Sequence, residues 1–399
     1  MSVSRRSFVT SLGAGGVGLL VSPNITWRGR EAAYAYGLPQ GVSERRADRL
    51  IATAPGMIRI DSNENPNGPG PHVLEVIGKH LNESNRYPIL AEDALIDAIA
   101  KAQGVKPENI ILGCGSGEVL RAAVHAFTSP TKALVSPDPT FEAPANFAKF
   151  LGTPVVSPKV NERLELDLDA MRDASKSAGL VYLCNSNNPT ATVHSKSDVV
   201  AFVDAVSKAS PDCVVLVDEA YHEYVENPAY GTVIPLAVNN PRVVVARTFS
   251  KVFGMAGLRA GYLVGHPDTL KKASSWVMGS NISALTLAAA TAAIADDMHV
   301  AEEKRKNREA RAFARAFFEK AGYKVQAAEA NFFMVDIKRD AKEFKMACAA
   351  KKVAIGRKFP SLPTHARISV GTMPEMKKAV EVFKSVLAST ATESRQRQR

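Results

Sequence analysis

Cysteine is scarce: Cys114, Cys184, Cys213 and Cys348 are the only four in 399 residues, and they lie far apart with no CxxC pair and no adjacent histidines. That spacing argues against a zinc site and leaves core thiols, or an oxidised pair if the protein is exported. Long apolar runs are also missing, so no transmembrane helix is expected. The glycine turn in "ILGCGSGEVL" (111–120) lacks both GxGxxG and the P-loop lysine, which weakens a dinucleotide or nucleoside-triphosphate reading. No basic stripe is interleaved with aromatics, so the formal charge of +10 does not describe a nucleic-acid surface. Part of the excess is terminal: Arg5, Arg6, Arg28 and Arg30 outweigh Glu31, and Arg395, Arg397 and Arg399 outweigh Glu393. Elsewhere the signs mix, as in "EEKRKNREAR" at 302–311, the pattern of a solvated helix face. There are no internal repeats. What remains is an enzyme-like composition, long enough for one large domain and a smaller one.

The N-terminus carries Arg5-Arg6 flanked by Ser4, Ser7 and Phe8, then a weakly apolar, glycine-rich stretch over 9–21, then "AAYA" with a small-x-small site after Ala35. This resembles a twin-arginine export signal, and predicts a signal peptide over 1–35, a periplasmic or otherwise exported location, and the twin-arginine translocase as a transient partner. That route carries folded proteins, which fits a cofactor loaded before export.

Downstream, an arm and part of a small domain are expected over 36–80, a large domain over 81–300, a small C-terminal domain over 301–390 and a disordered tail over 391–399. Residues 41–54 read as a short helix or arm, and "DSNENPNGPGP" (61–71) as a loop that needs something to pack against. From residue 90 short β-branched runs alternate with helical stretches, which predicts an α/β fold with a mostly parallel sheet covered on both faces. After about residue 300 the pattern becomes that of a smaller α+β unit.

Ligands of such sheets bind beyond the carboxyl ends of the strands, and that is where the unusual polar residues fall. "ILGCGSGEVL" (111–120) is strand, glycine turn and helix start, so the amides of Ser116, Gly117 and Glu118 are candidates to face an anion. "CNSNNPT" (184–190) ends a strand with asparagines, Asn188 among them. "VLVDEAYHEY" (215–224) ends one with Asp218 and Tyr221, and "RTFSK" (247–251) ends another with Thr248, Ser250 and Lys251. Singly, each of these is also a good turn former, cap or core residue. A lysine close to buried elements is costly unless its nitrogen is used, and one with a lowered pKa can attack a carbonyl.

In joint order these motifs resemble the fold type I pyridoxal-phosphate aminotransferases, and within them the histidinol-phosphate aminotransferase-like group, over roughly 58–388. The resemblance implies pyridoxal 5'-phosphate as cofactor, with Lys251 of "SKVFGMAGLRAGY" as its Schiff-base residue and Arg259 and Ser250 as phosphate ligands. It places Asn188 beside the ring hydroxyl, Asp218 of "DEAY" at the pyridine nitrogen, Tyr221 at the ring oxygen and Phe141 of "DPTF" stacked on the ring. Arg367 of "ARISVG" would take the substrate carboxylate, and Arg357 of "VAIGRKF" is either a reader of a second anionic group or a solvated strand-end charge. "RYP" (86–88) also fits the family. A homodimer is implied as well.

The sequence departs from the family at Ala191, where a glycine follows the asparagine motif, and at Gly117, where an acidic residue is usual. Asn65 and Asn67 stand where a tyrosine is common, and the N-terminal Pro-Tyr segment is not evident near 50–56. With export, these departures point away from histidinol phosphate as substrate. The expected activity is transfer of an amino group between an L-amino acid and a 2-oxo acid. A decarboxylase, lyase or racemase on the same scaffold is the alternative, because the bond broken depends on its alignment with the ring. Of the non-enzymatic roles, a cofactor-binding regulator would need a DNA-binding module, and no helix-turn-helix pattern is evident; an inactive relative would lack Lys251 or Asp218, and both are present.

Overall fold

The computed structural model describes residues 55–397. The predicted signal peptide over 1–35 and the arm through residue 54 lie outside the described residues. Twelve strands follow in chain order: β1 (Ile58–Ile60), β2 (Ile110–Gly113), β3 (Ala133–Val135), β4 (Val155–Val156), β5 (Ala178–Cys184), β6 (Val214–Asp218), β7 (Val243–Thr248), β8 (Gly261–Gly265), β9 (Lys324–Val325), β10 (Phe332–Asp336), β11 (Val353–Ile355) and β12 (His365–Ser369).

β2 to β8 form one seven-stranded sheet in the order β2-β8-β7-β6-β5-β3-β4. β3 to β7 pair in parallel, whereas β8 runs antiparallel to both β2 and β7. β5, β6 and β7 are buried along their whole length. That is why their sequences are continuous β-branched and aliphatic runs and not alternating ones. Burying each Val or Leu is worth ~1.5–3 kcal/mol, enough to fix these strands at the centre. The helices between them stop and start on local signals. Ser195 and Asp198 form a reciprocal capping box at the start of Lys196–Ala209, and Gly104 closes Ile89–Gln103 in the left-handed conformation.

The smaller unit pairs β12-β10-β9 in antiparallel and β1 with β11 in parallel. Helices Asp297–Lys320 and Ala341–Ala350 and the last helix cover it, with Phe318 at the centre of an aromatic group that includes Phe333 and Phe383. One apolar core runs from the seven-stranded sheet into this unit. β1, the first strand described, thus belongs with strands near the other end of the chain.

One expectation changes and another finds its partner. The last helix is continuous from Met373 to Arg397, so 391–397 is helical where a disordered tail is predicted. The segment contains no glycine or proline to end the helix. The loop at 61–71 packs against its own chain: Asn63 N donates to Ser369 Oγ (2.9 Å), Asn65 Nδ2 to the Val252 carbonyl (2.9 Å), and Asn67 Nδ2 to Glu303 (2.7 Å). Among the described residues no helix is long and apolar enough to cross a membrane.

Candidate active site

Register brings the polar strand ends together. Cys184 of β5 lies opposite Asp218 of β6, which lies opposite Ala246 of β7, so the loops leaving these strands open at one level. They form the floor of a cavity of about 680 Å³ whose far wall comes from the smaller unit. Ser116, Gly117, Phe141, Asn188, Asp218, Tyr221, Thr248, Ser250, Lys251, Arg259, Arg357 and Arg367 all line it.

Asp218 is buried at the end of β6. One of its oxygens accepts from the Tyr182 hydroxyl (2.7 Å) and the other from the Ala220 amide (3.2 Å). Burial pushes its carboxyl up to about 6, against the hydrogen bond from Tyr182, which favours the ionised form. Tyr221 is buried beside it, and its hydroxyl accepts from Asn63 Nδ2 at 3.1 Å. Lys251 Nζ donates to the Asn63 carbonyl (2.9 Å), an acceptor that carries no charge. Burial, then the nearby Arg367 guanidinium, hold the amine down at about 8. A lysine that loses its proton so readily is a usable nucleophile and base.

Arg367, on β12, is buried. Its Nη1 donates to Asn188 Oδ1 (2.8 Å) and its Nη2 to the Asp61 carbonyl (2.6 Å), so it joins the asparagine loop to the segment after β1. Arg357 pairs with Glu142 at 2.6 Å and stacks on Phe359. The smaller unit is thereby tied to the loop that carries Phe141.

At the opposite end, Arg259 Nη1 donates to the Ala256 carbonyl (2.8 Å) and Ser250 Oγ (3.4 Å). Arg259 takes a left-handed backbone, φ 64°, a conformation that costs a non-glycine residue ~1–3 kcal/mol. Its guanidinium lies where only glycine fits: a Cβ on Gly115 would sit 2.1 Å from Nη2. Thr248 Oγ1 accepts from the Ser250 amide at 3.1 Å and shapes the turn before Lys251. Ser116 and Gly117 open helix Ser116–Phe127 into this end.

Glu118 corrects an expectation. Its amide, predicted to face an anion, donates to the Gly115 carbonyl (3.1 Å) as the first bond of the helix turn. Its side chain turns away from the cavity to accept from the Cys114 amide (2.7 Å) and Asn281 (2.6 Å). It staples the glycine turn and is not itself an anion donor.

The cavity thus offers a cation and helix-start donors at one end, a buried carboxylate at the floor and an amine between them. This set suits a ligand with a dianion at one end, a basic ring nitrogen at the other and a carbonyl within reach of Lys251.

Sequence reasoning missed Tyr182, Asn63 and Glu142. Tyr182 had one signal: it is the only polar-tipped side chain in "AGLVYLC", and a buried hydroxyl requires a partner. Asn63 and Glu142 act through contacts distant in sequence and carry no local mark.

Residues 55–383 match the family described as aminotransferase class I and II. The histidinol-phosphate aminotransferase of Symbiobacterium thermophilum is 34% identical, over 83% of this chain and 91% of that one. The aromatic amino acid aminotransferase of Thermobifida fusca is 32% identical, over 86% and 94%. Among solved structures, histidinol-phosphate aminotransferase from Sinorhizobium meliloti in complex with pyridoxal-5'-phosphate superposes with TM-score 0.79 at 26% identity, covering 93% of this chain and 100% of that one.

Proposed function

The chain belongs to the aminotransferase class I and II family, and from that premise we propose how its cavity works and what it accepts. The protein is a pyridoxal-phosphate-dependent transaminase that moves an amino group between an L-amino acid and a 2-oxo acid. The observation that carries the assignment of roles is one pair. A lysine amine held down at about 8 and a buried carboxylate sit at neighbouring strand ends of one cavity.

When bound, the cofactor supplies an electron sink for the pair released as the substrate's Cα–H bond breaks. Arg259, Ser250 and the helix start at Ser116 and Gly117 would hold the phosphate, since a cation, a hydroxyl and helix-start amides converge there. Asp218, in a dry floor, gains from accepting the ring N–H⁺, and that pairing favours its ionised form against burial. Tyr221 and Asn188 would supply a hydroxyl and an amide to the ring oxygen, and Phe141, which lines the same cavity, would cover the ring. Lys251 would hold the cofactor covalently through its amine, and the same amine, when free, would be the base and acid that moves the proton at Cα. Arg367 binds the substrate carboxylate by the fork now shared between Asn188 and the Asp61 carbonyl, which fixes Cα over the ring. Arg357 is already neutralised by Glu142, so an anionic side chain reaches it only by displacing that carboxylate.

We also propose that the enzyme is exported by the twin-arginine route to the periplasm, on the strength of Arg5-Arg6 and the stretch that follows, and that it works as a homodimer. An apolar surface supports the dimer: Tyr87, Ile89 and Leu90 are 85%, 63% and 83% exposed, more than a free surface ordinarily tolerates in a cluster. Replacement of Arg5 and Arg6 by lysine, followed by cell fractionation, tests export; sedimentation of the purified protein tests the dimer.

Activity is tested by the visible spectrum of the cofactor-loaded protein, titrated with L-amino acids and then with 2-oxo acids, beside Lys251→Ala. The lysine-bound band should vanish with a donor, return with an oxo acid, and be missing in the variant. A band that no donor converts would refute transamination.

A further inference from the structure

Tyr182 is the least accounted-for polar group around the cavity. It sits in the middle of β5, opposite Leu216 of β6, and is fully buried. It lines no part of the cavity wall, yet its hydroxyl runs along the sheet to Asp218 at 2.7 Å. A tyrosine in a buried aliphatic strand brings no packing advantage over phenylalanine and adds a hydroxyl that must be satisfied. Burial raises its own pKa far above the ordinary phenol value, so it keeps its proton and can only donate to a carboxylate. With the Ala220 amide on the other oxygen (3.2 Å), each Asp218 oxygen has one fixed donor and is held in one orientation.

We propose that Tyr182 is a positioning residue that keeps Asp218 ionised and aimed at the cofactor's ring nitrogen, and so sets how fully that nitrogen is protonated. The inference rests on the reading of Asp218 as the ring partner. The charged and titratable groups facing Asp218 pull in both directions. Lys251, from the turn after β7, favours its ionised form, whereas Glu219, the next residue in the chain, opposes it. The Cys184 thiol and the Tyr221 phenol face it from β5 and from the turn after β6, and both are held neutral by burial. Tyr182 supplies the side-chain donor that offsets burial. Without it the carboxylate becomes more basic, the proton moves from the ring nitrogen towards the carboxyl, and the ring loses its capacity to hold electrons.

The test uses full-length protein as wild type, as Tyr182→Phe, and with 3-fluorotyrosine placed at 182, a more acidic phenol and stronger donor. In cofactor-free protein, the Asp218 carboxyl is followed against pH by its infrared C=O band, identified by its absence in Asp218→Asn. Tyr182→Phe should raise the midpoint by about one to two pH units, as loss of a hydrogen bond to a charged group implies; fluorotyrosine should lower it. In protein loaded with pyridoxal phosphate labelled with ¹⁵N in the ring, Tyr182→Phe should move the nitrogen resonance towards that of unprotonated pyridine, and lower kcat more than it changes KM. An unchanged Asp218 midpoint in both Tyr182 forms would overturn the proposal and leave Tyr182 as packing. If Tyr182→Phe does not fold, the fluorotyrosine protein decides alone, by the direction of its midpoint. Failure to take up the labelled cofactor would count against the functional reading instead, while the cofactor-free titration still reports on Tyr182.

Discussion

Asp218→Asn is expected to make the cofactor-free protein more stable while destroying its chemistry. Asp218 is 3% exposed, and its carboxyl is raised from 3.8 to about 6. Between those values the native state holds a proton that the unfolded chain has released, so stability falls as pH rises through the window and the loss is complete above about 6. A displacement of about two pH units corresponds to ~3 kcal/mol at 1.36 kcal/mol per unit. Asparagine cannot ionise and escapes that cost. It offers one acceptor oxygen in place of two, so either Tyr182 or the Ala220 amide loses its partner, at ~1 kcal/mol. Lys251 complicates the comparison while it is charged, because Asp218 favours its ammonium form; above its midpoint of about 8 that contribution fades. Denaturant unfolding of the cofactor-free proteins at about pH 9 should therefore show Asp218→Asn ahead by ~2 kcal/mol, and at about pH 4 level or slightly behind. Cofactor-loaded Asp218→Asn should lose transamination by several orders of magnitude. A variant no more stable than wild type at the higher pH would refute the claim that this carboxylate is held at a cost the cofactor relieves.

The remaining predictions concern the other groups of the cavity. Reductive trapping of Lys251 with a small aldehyde should accelerate with pH to a plateau just above 8, below the range of an ordinary lysine, and Arg367→Gln should shift that profile upward. Glu142→Gln should raise kcat/KM for donors with acidic side chains by about two- to fivefold, the scale of a half-exposed ion pair, and leave neutral donors unchanged. Gly115→Ala, at φ 77° and with its Cβ 2.1 Å from the Arg259 guanidinium, should displace that arginine and weaken cofactor binding about tenfold, with ~1 kcal/mol of strain in the fold; equilibrium dialysis and melting would separate the two effects.

The large sheet was legible because its central strands are buried on both faces and so are written as unbroken aliphatic runs, each ending in polar residues that have no business in a core. Position at a strand end is a local property, and it picks out Asp218, Asn188 and Lys251 without any knowledge of register. Glu118 shows the limit of that logic. A helix start offers free amides, but the first turn can close on the preceding carbonyl, and only the backbone path decides it. Position at a terminus suggests disorder for residues 391–397, whereas helix continuity depends on the absence of a stop signal. Tyr182, Asn63 and Glu142 were invisible because each acts across strands or between units. Their partners are set by register and by packing of segments far apart in the chain, information that no short window contains.

The contact between Asn63 and Ser369 joins residues 306 positions apart, and it has a consequence for the order in which the molecule is made. Asn63 gives its carbonyl to Lys251 and its side-chain amide to Tyr221, but it is held in place by β12 and follows a strand that pairs with β11. During synthesis the sheet can assemble as soon as β8 has emerged, with an amine and a carboxylate already at its edge. The wall opposite them cannot close until β11 and β12 have also left the ribosome. Distant contacts of this kind form late because the intervening chain must first lose its freedom. A chain cut or stalled before β12 would therefore expose a reactive lysine without its enclosure, and the arrival of β12 is the event that turns a folded sheet into an enzyme.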